Sequence, residues 1–141
     1  MKCAVILLLA IPAILPAQAP LDYSGTWKLD PLRSRLERTQ VPKSLVLQID
    51  QHDTDVRVKL TSMTSKGENT EIYQPRGTGQ GPSVTWDDGH LVLVSQHDTA
   101  DGPVSVTRRL KRGDKGKIMT SVLNIKDKSG ESTEYEFFIR E

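Results

Sequence analysis

Arg108 is the residue whose position most needs a chemical explanation. In Val104-Ser105-Val106-Thr107-Arg108-Arg109-Leu110 the apolar residues occupy every second position, and Arg108 shares their face. Alternation of this kind marks a strand with one face turned to a core. A charge on that face is costly unless a partner meets it. An anionic ligand head group is one such partner. The alternative places Arg108 at the strand end, where its long stem reaches water. Trp86 also falls on an apolar face, where it either lines the same interior or fills space.

The other chemically capable residues group less well. His52-Asp53, His97-Asp98 and His90 carry atoms that suit zinc or copper. No His-x-His or His-x3-His spacing joins them, so they read as solvated turn residues without a metal. No Gly-x-Ser-x-Gly elbow and no phosphate-cradling glycine loop is present. The carboxylates fall on alternating positions that read as outward, away from any shared cleft. The expectation is therefore a protein that is not an enzyme and needs no cofactor. Arg108, Arg109, Lys111, Arg112, Lys115 and Lys117 form a basic hairpin opposed only by Asp114, and Arg33, Arg35, Arg38 and Lys43 form a second basic group. These either dock on an anionic envelope polymer or protein partner, with the outward Phe138 as a further contact, or serve as a charged edge that deters strand pairing.

The start of the chain bears on location. Lys2 precedes an apolar run from Ala4 to Leu15, and Ala17-Gln18-Ala19 offers a small-x-small cleavage pattern. The run falls below the roughly 20 residues that a spanning helix needs. Residues 1–19 thus read as a secretory signal peptide, and residues 20–141 as one exported domain, periplasmic or extracellular, with no transmembrane anchor. Pro20 leaves the cut site open between Ala19 and Ala17. Cys3, the single cysteine, precedes the apolar run, which argues against lipid attachment and leaves the expected mature domain without a thiol. With 19 basic and 18 acidic residues in the whole chain, loss of Lys2 brings the mature charge to zero. That balance gives nucleic acid no electrostatic footing as a partner.

The elements that must position these residues are strands. Period-two alternation recurs at Thr26–Asp30, Leu45–Asp50, Val56–Thr61, Asn69–Gln74, Ser83–Asp87, His90–Gln96, Pro103–Lys111, Gly116–Lys126 and Glu131–Arg140. Asp87-Asp88-Gly89, Gln51-His52-Asp53-Thr54, Lys111–Gly116 and Asp127-Lys128-Ser129-Gly130 are hairpin turns. Short turns make sequential strands antiparallel, so an all-β, up-and-down meander follows, and closing it into a barrel removes its edges. Only Asp30 to Lys43 breaks the pattern: Asp30 as cap, Pro31 at a first position and Leu32 and Leu36 one turn apart predict a short helical turn near residues 31–37, followed by an extended stretch around Val41-Pro42. The glycine-rich stretch from Thr78 to Pro82 reads as a flexible loop.

Ser24-Gly25-Thr26-Trp27 on the first strand and Phe137-Phe138-Ile139-Arg140 on the last resemble the ends of the lipocalin and fatty-acid-binding superfamily of small barrels. The resemblance implies that Trp27 plugs one barrel end and that Arg140 lies over its ring. It also implies a ligand carboxylate held by interior arginine and tyrosine, here Arg108 and Tyr135, since Tyr135 alternates with the apolar Phe137 and Ile139. The central Thr-Asp-Tyr signature of lipocalins is missing. Over nearly the whole mature domain, Ser24–Pro31 with Ser34, Pro42-Lys43-Ser44-Leu45 and Val84–Gly89 followed by Leu91-Val92 resemble small secreted bacterial β proteins without an assigned activity. The reading is a non-catalytic, lipocalin-like barrel that binds a small apolar or amphipathic ligand at Arg108, Tyr135 and Trp86. The alternative is an envelope interaction module with a filled core and a basic contact hairpin.

Overall fold

A computed structural model describes residues 20–37, 41–77, 81–113 and 115–141. The signal-peptide expectation for residues 1–19, Arg38, the loop residues 78–80 and Asp114 lie outside the described residues. Nine strands form one closed barrel: β1 Gly25–Leu29, β2 Ser44–His52, β3 Asp55–Thr64, β4 Gly67–Pro75, β5 Ser83–Asp87, β6 His90–Thr99, β7 Gly102–Arg112, β8 Ile118–Asp127 and β9 Gly130–Arg140. All nine are where alternation places them. Two-residue loops join several pairs. Asp88 (φ 50°) and Gly89 (φ 75°) connect β5 to β6 with both central residues left-handed, as a turn matched to the twist of a hairpin requires.

A closed ring of nine strands cannot reverse direction at every step, so at least one adjacent pair must run parallel. That pair is β4 and β5, and it overlaps only at its tips, Gln74 beside Ser83 and Pro75 beside Val84. Every other neighbouring pair is antiparallel. In effect β5 takes over the wall where β4 stops. Beyond that overlap, towards the start of β4, no strand ladder joins β4 to β6 among the described residues.

The two ends of the barrel differ. Trp27, Leu29, Leu47, Ile49, Val56, Val58, Leu91, Leu110, Met119 and Phe138 are buried and fill the end where β1 runs. The segment before β1 caps it. The Trp27 indole N–H donates to Tyr23 O at 2.8 Å, and the Tyr23 ring meets Trp86 edge-on at 5.8 Å. Gln51 ties the segment down, accepting from Tyr23 N at 2.7 Å and donating to Leu21 O at 2.9 Å.

β1 is only five residues long, so it walls one end alone. At the other end residues 31–37 span from β1 towards β2. They form one hydrogen-bonded turn, as expected, and no helix. Ser34 N donates to Asp30 O at 3.2 Å and the Asp30 carboxylate accepts from Leu32 N at 3.0 Å. The chain then straightens, because Arg35 exchanges both backbone hydrogen bonds with Tyr135 on β9, at 2.7 and 3.0 Å. Pairing to an open strand edge outweighs the weak local helix preference. Leu32 is 95% exposed, so it shares no apolar face with Leu36, which packs against the core.

Candidate functional site

Cross-strand partners lie on the same side of a sheet, so one known face fixes its neighbours. Arg108 is directly opposite Leu93 on β6 and Leu123 on β8, both fully buried. Arg108 therefore lies inside the barrel, in its middle layer. Its charge is met by the protein itself: Arg108 Nε donates to Glu136 Oε1 at 3.0 Å, and the side chains are 13% and 2% exposed. Ser121 Oγ donates to the same oxygen at 3.0 Å. Burial pushes the Arg108 guanidinium down, but the Glu136 carboxylate, helped by Tyr73 and Glu71, outweighs it and holds the group above its ordinary value.

A second cluster, partly buried, spans the unladdered seam between β4 and β6. Tyr73 OH donates to Glu71 Oε2 at 2.6 Å, and His97 Nε2 reaches Glu71 Oε1 at 2.9 Å and Ser95 Oγ at 3.3 Å. Burial, then the hydrogen bond to Glu71, push the Tyr73 phenol up to about 12. Side chains thus bridge the stretch of wall that the backbone leaves unpaired.

Between the clusters lies a cavity of about 210 Å³. Leu45, Leu60, Val106, Leu123 and Ile125 give it apolar walls, and Glu71, His97, Arg108 and Glu136 its polar ones. Leu36, from the strap of residues 31–37, completes the rim. Such a site combines an apolar body with a few convergent polar groups, the general form of a small-molecule pocket.

The other residues expected at this site are elsewhere. Tyr135 is on the outer face, 53% exposed, with its backbone bonded to Arg35. Trp86 is at the capped end, against Tyr23 and with its indole N–H donating to Thr54 O at 2.9 Å. Neither lines the cavity. Register explains Tyr135. Trp27 pairs with Arg140, and the Arg140 guanidinium carbon lies 4.8 Å from the Trp27 ring centroid. With Arg140 on the inner face, Phe138, Glu136 and Glu134 follow it inwards at steps of two, and Tyr135 and Ile139 must turn out. Phe138 is accordingly buried completely rather than outward. The carboxylates of Glu134 and Glu136, expected outside, are both buried.

The basic hairpin divides in the same way. Arg108 is interior, Arg109 pairs with Asp87, and Arg112 Nη1 donates to Asp22 O at 2.8 Å. Lys111, Lys115 and Lys117 are exposed. Arg33 stands over the Phe137 ring at 5.1 Å. The imidazoles make separate contacts, His52 with Asp50 and His90 with Asp88 O. No protein-family model matches this chain, and no curated protein matches it.

Proposed function

We propose that this chain is an exported, non-catalytic barrel of lipocalin-like form that binds one small amphipathic molecule in the open end of its interior. The observation that carries the reading is the cavity beside the Arg108–Glu136 pair, whose lining mixes apolar side chains with two polar clusters. A barrel that existed only to be filled would place aliphatic side chains there, since a buried ion pair is seldom more stabilising than apolar residues of the same volume.

Size narrows the ligand. An apolar cavity of about 150 Å³ accepts benzene, so 210 Å³ fits a molecule of roughly eight to ten non-hydrogen atoms. A longer molecule, such as a fatty acid, would have to extend out through the open end. A ligand this small gains limited contact, and affinities from about 1 mM to about 1 μM follow.

Native mass spectrometry of the protein purified from its export compartment, before and after organic extraction, tests the reading. An adduct of about 100–150 Da, the mass that goes with this cavity size, supports it when extraction removes the adduct. A clean apo mass that stays unchanged after incubation with small aromatic and aliphatic amphiphiles contradicts it. The outer face then becomes the working surface, where Ile118, Val122, Tyr135 and Ile139 form an exposed apolar stripe on β8 and β9.

A further inference from the structure

The cavity wall holds unequal numbers of charges and unequal numbers of unused hydrogen-bonding atoms. Arg108 spends only Nε on Glu136. Among the described residues nothing meets its terminal nitrogens, Nη1 and Nη2, although the residue lines the cavity. Both oxygens of Glu71 are engaged, one by Tyr73 and one by His97. Glu136 uses Oε1 twice, for Arg108 and Ser121. Within the ion pair the open positions are thus the Arg108 Nη donors and a single acceptor, Glu136 Oε2, and the donors sit on a guanidinium whose charge a carboxylate already balances.

We infer that the cavity selects an uncharged ligand carrying a hydrogen-bond acceptor, such as an amide, ketone or lactone carbonyl, seated on the Arg108 Nη atoms. This rests on the reading of the cavity as a ligand site and adds the class of molecule. A carboxylate finds the same donors but joins Glu136 and Glu71 in one low-dielectric space, where like charges repel strongly. A cation finds no vacant oxygen on Glu71, and the one open carboxylate oxygen, Glu136 Oε2, belongs to the group already paired with the like-charged Arg108. A neutral carbonyl completes the Arg108 donors without adding charge. Its apolar body then lies against Leu45, Leu60, Val106 and Leu123.

Four probes of nearly equal size test this: toluene, benzamide, benzoate and benzamidinium, titrated near neutral pH and followed by calorimetry or methyl NMR shifts. Toluene reports the cavity alone; the other three share one shape and differ in charge. The expected result is that benzamide binds tighter than toluene, and that benzoate and benzamidinium bind at least about tenfold more weakly than benzamide. Glu136→Gln keeps an acceptor for Arg108 and Ser121 but removes the balancing charge, so benzoate overtakes benzamide in that variant. Arg108→Met gives an independent arm, in which benzamide loses its advantage over toluene. Toluene binding with benzoate or benzamidinium equal to benzamide overturns the inference and leaves the cavity reading standing, as does an unchanged ranking in both variants. Failure of all four probes to bind overturns both.

Discussion

Breaking the Arg108–Glu136 pair from either side should cost far more than removing it whole. Both side chains are interior, 13% and 2% exposed, and each is the other's main compensation. Arg108→Met strands the Glu136 carboxylate, and Glu136→Leu strands the guanidinium. A buried charge left alone costs about 3–5 kcal/mol. Glu136→Leu also takes the acceptor from Ser121 Oγ, 3.0 Å away, at about 1 kcal/mol more. Taking the low end of that range, about 3 kcal/mol is expected for each single change. The double variant removes both charges and adds apolar volume at the layer of Leu93 and Leu123. It should lie within about 1 kcal/mol of the wild type, because apolar replacement of a buried pair is often neutral or stabilising. Urea unfolding followed by the fluorescence of the two tryptophans reads all four proteins, and the cycle should give a coupling of about 5 kcal/mol. Additive losses, with the double variant about 6 kcal/mol down, would refute the claim that these two charges exist in the barrel for each other.

Three further outcomes follow from the same geometry. Tyr73 is 1% exposed and its phenol is pushed up to about 12 by burial and Glu71. Since this value lies above that of the unfolded chain, the stabilisation is complete below about pH 10 and is lost between about pH 10 and 12, a fall of about 3 kcal/mol. Tyr73→Phe should flatten that fall in alkaline urea titrations. Gly25 has φ +125°, and a Cβ there would stand 3.1 Å from Arg140 Nε. Gly25→Ala should therefore cost about 1–3 kcal/mol in thermal unfolding, from strain and from displacing Arg140 off Trp27. The Arg109–Asp87 pair is much more exposed, 36% and 64%, and Asp87→Asn should change stability by less than about 1 kcal/mol.

The strands were readable because each carries its own alternation, and short turns fix the order of neighbours. The inner face of β7 was readable too, since Val106 and Leu110 mark it and Arg108 goes with them. β9 misled because apolar residues stand on both of its faces: Tyr135, Phe137 and Ile139 on one, Phe138 on the other. Composition favoured the three, but pairing decides. Arg140 and Tyr135 are five positions apart, so without a bulge they cannot share a face. A reading that places Arg140 over Trp27 already turns Tyr135 outwards and Glu136 inwards, and this parity was the available signal. The link of Glu71 and Tyr73 to His97 was not legible. It depends on where β4 gives way to β5, a break that follows from closing an odd number of strands and has no local pattern.

The turn expected near residues 31–37 goes no further than a single turn, for a similar, non-local reason. Asp30 does cap the turn, as its residue type implies, and accepts from Leu32 N at 3.0 Å. What ends the turn is β9, whose edge beyond β1 needs a partner and takes Arg35.

The central claim is that a small molecule enters the open end of this barrel. The most direct measurement is a toluene titration followed by methyl-resolved NMR of the Leu, Val and Ile groups. The account predicts saturable shifts confined to Leu36, Leu45, Leu60, Val106, Leu123 and Ile125, which line the cavity. Leu47, Leu91 and Leu110, in the filled end, should stay still. Shifts on Ile118, Val122 and Ile139 of the outer stripe, or no saturable shift at all, would contradict it.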